Sequence, residues 1–231
     1  QLIHDVALQN LDVTLAIDRA GFVGGDGATH AGIFDVSFLR CIPNMIIMSP
    51  SDENECWKML STGYNYSGPA AIRYPRGEGP GTEILENFDL LEIGKARLIN
   101  ETLSDLVILS FGNMLDLSLE ITDQINCSLV DMRFIKPLDE ELIEKCAKKY
   151  KHIITIEENV ITGGAGSAVN EYLTKIGYSE KLKIFGIPDE FPIVGSQDDQ
   201  RDAAGLTKDK ILESLASELN LKDLEKKVSA Q

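Results

Sequence analysis

Short apolar runs alternate with segments of helical period along nearly the whole chain. The runs Val13-Thr-Leu-Ala-Ile17, Met45-Ile-Ile-Met48 and Ala70-Ala-Ile-Arg-Tyr74 predict strands over 13–18, 45–48 and 70–74. Ser49-Pro-Ser-Asp-Glu-Asn-Glu then opens a helix through about Tyr64, with carboxylates where the positive end of a helix dipole favours them. Residues 34–40 read as a turn region. Farther on, strands are predicted at 96–99, 105–110, 127–131, 152–157 and 182–187, and helices at 113–125, 139–149, 166–176 and 207–219. Regular alternation of this kind predicts the α/β class: parallel-sheet-based domains covered by helices.

Residues 77–91, GEGPGTEILENFDLL, break the alternation with Gly, Pro and Glu and mark the best boundary between two such domains. The expected division is a first domain over 1–77, a linker over 78–90, a second domain over 91–220 and a polar tail over 221–231. Gln1-Leu-Ile-His-Asp-Val-Ala-Leu reads as the middle of a helix, so the chain is expected to be the end of something longer.

Between the first strand and the turn region lies Asp18-Arg-Ala-Gly-Phe-Val-Gly-Gly-Asp-Gly-Ala-Thr-His-Ala-Gly-Ile-Phe-Asp35, with glycines at 21, 24, 25, 27 and 32. Glycines let a backbone bend tightly and approach a ligand, and the carboxyl end of a strand is where α/β sheets bind ligands. The same loop carries Arg19, Asp26 and His30. A loop histidine is commonly a surface group, but beside a cation and a carboxylate an imidazole can meet a developing oxyanion or move a proton. Arg19 and Arg76 each follow a predicted strand end. Two readings fit them equally: a pair of guanidinium forks for a phosphate, or ion pairs with Asp18 or Asp26. Arg73, His4 and His152 read as structural. Gly163-Gly-Ala-Gly-Ser167 resembles a phosphate loop at a helix start but lacks the third glycine of a dinucleotide fingerprint and the lysine of a P-loop. It reads as a tight strand-to-helix turn, with the neighbouring Glu157-Glu158 capping, orienting or meeting a partner.

Composition narrows the field. With 22 Lys and Arg against 37 Asp and Glu, the net charge of −15 argues against nucleic acid or an anionic membrane as the main partner. Only Arg19, Arg40, Lys58, Arg73 and Arg76 are basic among the first 90 residues, so a cation within the glycine loop is informative. The 4 cysteines, at 41, 56, 127 and 146, are too dispersed for a disulfide framework or zinc site and suit a reducing, cytoplasm-like compartment.

The segments DRAGFVGGDGATHAGIFDVSFLRCIPN, MSPSDENE, AIRYPRG, LVDMRFIKPLD and EEN…GGAGSAVNEYL together resemble the 1-deoxy-D-xylulose-5-phosphate synthase family of the transketolase superfamily, over roughly residues 1–220. The resemblance implies a cytoplasmic homodimer, or a plastid one in a eukaryote, dependent on thiamine diphosphate and Mg2+. It would join pyruvate to D-glyceraldehyde 3-phosphate with release of CO2, feeding isoprenoid, thiamine and pyridoxal phosphate synthesis. Residues 1–77 then correspond to the rear of the pyrimidine-binding domain and residues from 91 to the transketolase C-terminal domain. Matched to the family's motifs, Arg19 and Arg76 hold the acceptor's phosphate, His30 bonds substrate oxygens and assists proton movement, and Asp26 contacts substrate hydroxyls. The cofactor serves as electron sink, leaving orientation, phosphate binding and proton handling to the protein. The family's diphosphate- and magnesium-binding domain and its activating glutamate lie upstream of these residues. No cofactor or metal ligand is therefore assigned here, and the chain alone is expected to be inactive. The alternatives are a β-type subunit of a 2-oxoacid dehydrogenase, against which the arginine pair argues, and a non-catalytic dimerisation module.

Overall fold

The structure, a computed structural model, describes residues 1–85 and 89–218; the polar tail expected over 221–231 lies outside them. A helical segment of π type at Leu2–Ala7 leads into the first strand. The elements that follow are β1 (Thr14–Ile17), α1 (Asp35–Leu39), β2 (Ile46–Met48), α2 (Glu53–Asn65) and β3 (Ala70–Arg73). Beyond the linker come β4 (Arg97–Asn100), β5 (Leu106–Ser110), α3 (Met114–Gln124), β6 (Ser128–Asp131), β7 (Phe134–Lys136), α4 (Glu140–Lys149), β8 (His152–Val160), α5 (Ala165–Lys175), β9 (Lys181–Ile187), α6 (Gln197–Ala203) and α7 (Lys208–Glu218).

These elements form two mostly parallel sheets, in the α/β class that the alternation predicts. The first has the order β1-β3-β2-β7 and the second β4-β6-β5-β8-β9. Each carries one antiparallel member, β7 against β2 and β4 against β6. Strands β3, β5 and β6 are buried along their whole length, as continuous apolar runs in a helix-covered parallel sheet should be.

Helix boundaries follow local chemistry. Asp52 accepts a hydrogen bond from the Glu55 amide at 2.7 Å to start α2, and Asp139 accepts one from Leu142 at 3.0 Å to start α4. The α4 helix ends on Lys148 and Lys149, cations suited to the negative end of its dipole.

Three features differ from the pattern-based expectation. Residues 35–39 form a short α-helix within the expected turn region. Strand β7, in the second half of the chain, joins the first sheet and pairs Ile47 with Lys136 and Met48 with Phe134. It covers the edge of β2 that would otherwise lie open. Helix α6 arises from SQDDQRDA, a stretch with no apolar period for a pattern to detect.

The core does not respect the linker. A single apolar cluster contains Val36, Leu39 and Ile47 from the first part together with Val107, Leu109, Val130 and Val169 from the second. Arg73 lies within this junction and is 3% exposed. Its guanidinium donates to both Asp35 oxygens at 2.7 and 3.2 Å, and to the carbonyls of Gly32 and Glu158. Arg73 is thus structural, as its place within a strand implies.

Candidate functional site

The register of β1 beside β3 pairs Ile17 with Arg73, so the residues just after each strand emerge side by side at the carboxyl edge of the sheet. Arg19 follows one strand and Arg76 the other. Asp26, from a short 3-10 turn at Gly24–Asp26, stands between them. Its Oδ2 lies 2.9 Å from Arg76 Nε and 3.6 Å from Arg19 Nε. Arg19 also pairs with Asp18. The ion-pair reading and the phosphate reading therefore meet in one arrangement. Two guanidinium groups share a carboxylate, while 42% of the Arg19 side chain and 48% of the Arg76 side chain remain open to solvent.

The loop is closed at its neck by backbone hydrogen bonds. Gly21 N–H donates to Gly32 O at 2.7 Å, and Gly32 N–H is shared between Arg19 O at 3.0 Å and Gly21 O at 3.1 Å. Residues 21–32 thus form a compact surface loop with touching ends. A Cβ on Gly32 would lie 2.3 Å from Arg19 O, so only glycine lets the two stems approach this closely. Arg19 itself has φ of +60°, a left-handed conformation that costs a non-glycine residue about 1–2 kcal/mol. Strain of this kind persists where the surroundings over-determine it, and here the neck bonds do so.

His30 lies in an exposed turn of the same loop. Its backbone N–H donates to Gly27 O at 3.1 Å, and its Nδ1 is 3.0 Å from Thr29 Oγ1. It is absent from the ion pairs among the described residues. The structure therefore brings Arg19, Asp26 and Arg76 together and leaves His30 facing solvent a few residues away.

Behind the loop lie Glu158, which the sequence marked only as a capping, orienting or partner-facing carboxylate, and Asn113, Gln197, Gln200 and Arg201, which it did not mark. Glu158, 1% exposed, receives hydrogen bonds from Arg201 Nε and Asn113 Nδ2, each at 2.7 Å. Its carboxylate fills the space beside Gly21, where a Cβ would come within 2.2 Å of Oε2. From α6, Gln197 Nε2 donates to Phe22 O at 2.7 Å, and Gln200 Oε1 accepts the Gly24 N–H at 2.9 Å. A signal for α6 did exist in the sequence: Ser196 and Asp199 have capping-box spacing, and the structure shows both reciprocal bonds.

Arg76 also lines a cavity of about 630 Å3 between the two halves of the chain, together with Tyr74, Asn113, Gln197, Arg201 and Lys208. Carboxylates line it as well, among them Asp52, Glu53, Asp116 and Glu120. Burial, reinforced by the charges of Asp52, Glu120 and Glu53, raises the pKa of Asp116.

The glycine-rich turn before α5 is already occupied by protein. Glu157, 1% exposed, accepts the Ala165 and Gly166 N–H groups at 2.7 and 2.8 Å, the donors that a bound phosphate would need. Burial pushes its carboxyl up to about 7, against the opposing pull of those two amides, Arg73 and Arg40. Glu157 is thus a cap, and the segment is a strand-to-helix turn. The residues of this turn do not fit a diphosphate. Nor, among the described residues, does any group of three or more His, Cys, Asp and Glu lie where it could hold a metal ion. No helix among them is long and apolar enough to cross a membrane.

Comparison with known proteins places these observations in a family. The model of the transketolase pyrimidine-binding domain matches residues 1–82, and that of the transketolase C-terminal domain matches residues 94–211. The 1-deoxy-D-xylulose-5-phosphate synthase of Vibrio atlanticus is 50% identical over 224 residues, covering 95% of this chain and 36% of that protein. The enzyme of the same name from Pseudoalteromonas translucida is 52% identical over 220 residues, covering 95% and 35%. The chain thus spans about a third of the length of the curated relatives it matches. Among solved structures, a split-gene transketolase described as an inactive β4 tetramer superposes with a TM-score of 0.82 at 27% identity, covering 96% of this chain and 71% of that one. Transketolase from Campylobacter jejuni shares the fold, with a TM-score of 0.70 at 21% identity over 92% of this chain and 32% of its own.

Proposed function

Because the chain belongs to the transketolase family, with matches to its pyrimidine-binding and C-terminal domains, we propose that it is the C-terminal portion of a 1-deoxy-D-xylulose-5-phosphate synthase and supplies the acceptor side of that enzyme's site. The whole enzyme joins pyruvate to D-glyceraldehyde 3-phosphate with loss of CO2, working as a homodimer in the cytoplasm. Residues 1–77 belong to its pyrimidine-binding domain and residues 91–220 to its C-terminal domain.

The observation that carries the acceptor reading is the convergence of Arg19 and Arg76 on Asp26 at the ends of adjacent parallel strands. In that arrangement the two forks bind the acceptor's phosphate, and Asp26 holds them in place while it remains near enough to meet a substrate hydroxyl. The exposed imidazole of His30 can swing toward the acceptor's carbonyl oxygen and supply or take its proton. Thiamine diphosphate supplies the electron sink for decarboxylation and carbon–carbon bond formation. The donors before α5 are occupied by Glu157, which supports a reading in which residues outside this chain hold the cofactor's diphosphate and its Mg2+. On this reading the isolated chain is inactive. The split-gene transketolase of similar fold, described as an inactive β4 tetramer, supports that view.

The test is kinetic and uses the complete enzyme. Arg19→Ala and Arg76→Ala should each raise the KM for D-glyceraldehyde 3-phosphate roughly 10-fold or more and leave the KM for pyruvate nearly unchanged, as expected on losing a charge-assisted bond. His30→Ala should lower kcat. Unaltered acceptor kinetics in both arginine variants would remove the phosphate assignment, and an unaltered kcat and KM would remove that of His30. Product formed by the isolated chain from pyruvate and the aldehyde, with thiamine diphosphate and Mg2+ present, would overturn the claim of inactivity.

A further inference from the structure

We propose that Gln197 and Gln200, on α6 of the second half of the chain, are positioning residues that hold the glycine loop so that Asp26 meets both arginines. The inference rests on the acceptor-phosphate reading above and goes beyond it: the side chains that shape the phosphate site lie 175 and 176 residues along the chain from the loop residues they hold.

The loop has few tethers of its own. Its neck is closed by Gly21 and Gly32 and the Phe22 side chain is buried in the core, but the backbone of the arm from Phe22 through Gly24 to Asp26 is held by side chains from outside the loop. Gln197 and Gln200 provide that hold. Gln200, 1% exposed, satisfies both ends of its amide. Its Oε1 accepts the Gly24 N–H at 2.9 Å, and its Nε2 donates to Ile193 O at 2.9 Å, tying the arm to the segment that leads into α6. Gln197 donates to Phe22 O at 2.7 Å and reaches Arg76 O at 3.4 Å, so one side chain touches both the loop and the backbone of the second arginine. Gly24 adopts φ of +63°, and a Cβ there would press to 3.2 Å against the Gln197 backbone nitrogen, so the arm is fitted to the start of α6. Gly24 also begins the 3-10 turn that carries Asp26, and any shift at Gly24 moves the carboxylate shared by Arg19 and Arg76.

A contact that only stabilises the fold would lower the melting temperature and leave both Michaelis constants alone. A contact that positions the phosphate site has a selective signature. In the complete enzyme, Gln197→Ala, on a half-buried side chain, and Gln200→Met, which keeps the volume but loses the amide, should raise the KM for D-glyceraldehyde 3-phosphate about 3- to 10-fold, as for loss of a hydrogen bond. The KM for pyruvate and the kcat at saturating acceptor should stay within about twofold of wild type. Hydrogen exchange supplies the second readout: amides of residues 22–27 should exchange faster in both variants, while those of β5 and β8 should not. Arg76→Ala, measured alongside, separates the two claims. If it raises the acceptor KM while both glutamine variants leave that constant and loop exchange at wild-type values, the positioning role fails and the phosphate reading stands. If faster loop exchange leaves the acceptor KM unmoved, the clamp exists but does not position the site, and the proposal fails. If Arg19→Ala and Arg76→Ala both leave the acceptor KM unchanged, the phosphate reading fails and takes the proposal with it.

Discussion

Replacing Gly32 by alanine strikes the neck of the loop at the point of closest approach. The new methyl group would lie 2.3 Å from Arg19 O and 3.1 Å from Ala20 Cα, both backbone atoms. A carbon–oxygen contact settles at about 3.3 Å or more, so the Arg19 carbonyl must retreat by about 1 Å. That retreat breaks the bond from Gly32 N–H to Arg19 O and loosens the pair between Gly21 and Gly32. Two weakened backbone bonds at about 1 kcal/mol each, with about 1–3 kcal/mol of crowding, give a destabilisation of about 3–5 kcal/mol. For a folding unit the size of this chain the loss corresponds to a fall in Tm on the order of 10 °C, and to a smaller fall in the longer complete enzyme. Arg19 moves with its carbonyl, and a displacement of about 1 Å at a positioning group costs about 10- to 100-fold, read here in the acceptor KM.

The assay is a thermal melt paired with acceptor kinetics on the complete enzyme, and the loop contains its own control. At Gly25 no atom lies within 4 Å of the place a methyl group would take, and φ is not positive, so Gly25→Ala should be neutral or more stable by up to about 1 kcal/mol. A Gly32→Ala enzyme with wild-type Tm and acceptor KM would refute the account of the neck. Equal damage from Gly25→Ala would show that the loop tolerates no added carbon anywhere and that the neck is not special.

Two further predictions concern buried charge. Glu157, with its pKa raised to about 7 by burial, binds its proton more tightly in the folded state than in the unfolded one. Between pH 4.5 and about 7 the native state therefore holds more protons, and stability should fall by about 3 kcal/mol as pH rises through that window. Urea titrations from pH 4.5 to 8 on wild type and Glu157→Gln measure the effect, and a slope that survives unchanged in the variant would exclude Glu157 as its source. Arg73→Ala strands the buried Asp35 carboxylate and should cost about 3–5 kcal/mol in denaturant titrations, with Arg73→Ala/Asp35→Ala recovering part of the loss. A double variant no more stable than Arg73→Ala would argue against the uncompensated charge as the cause.

Much of the fold was legible because its strands are apolar runs and its helices carry caps and end charges that follow local rules. The strands predicted at 105–110 and 127–131 correspond to β5 and β6, and the helix predicted at 139–149 to α4. What escaped detection was local structure stabilised by distant partners. Strand β7 is three residues long and extended because β2 offers it an edge, a fact that no window around Phe134 contains. Helix α1 is five residues long and anchored by the Asp35–Arg73 pair, whose members are 38 positions apart. At the site, the glycine loop and its charged residues stood out because glycine and arginine are distinctive at strand ends. Gln197, Gln200 and Arg201 did not, because a polar stretch facing solvent and a polar stretch gripping a loop have the same composition.

The strand that β7 lends to the first sheet means that the seam in the sequence and the seam in space do not coincide. Cutting the chain in the glycine- and proline-rich connection would sever the covalent link and leave β7 paired to β2 and the shared core intact, so the two pieces should travel as one particle. Expressing residues 1–77 by themselves would do the opposite, removing a strand from their sheet and baring the edge of β2. A gene split at this connection would thus yield halves that must find each other to fold, whereas a protease acting there on the finished protein would leave little trace in its shape.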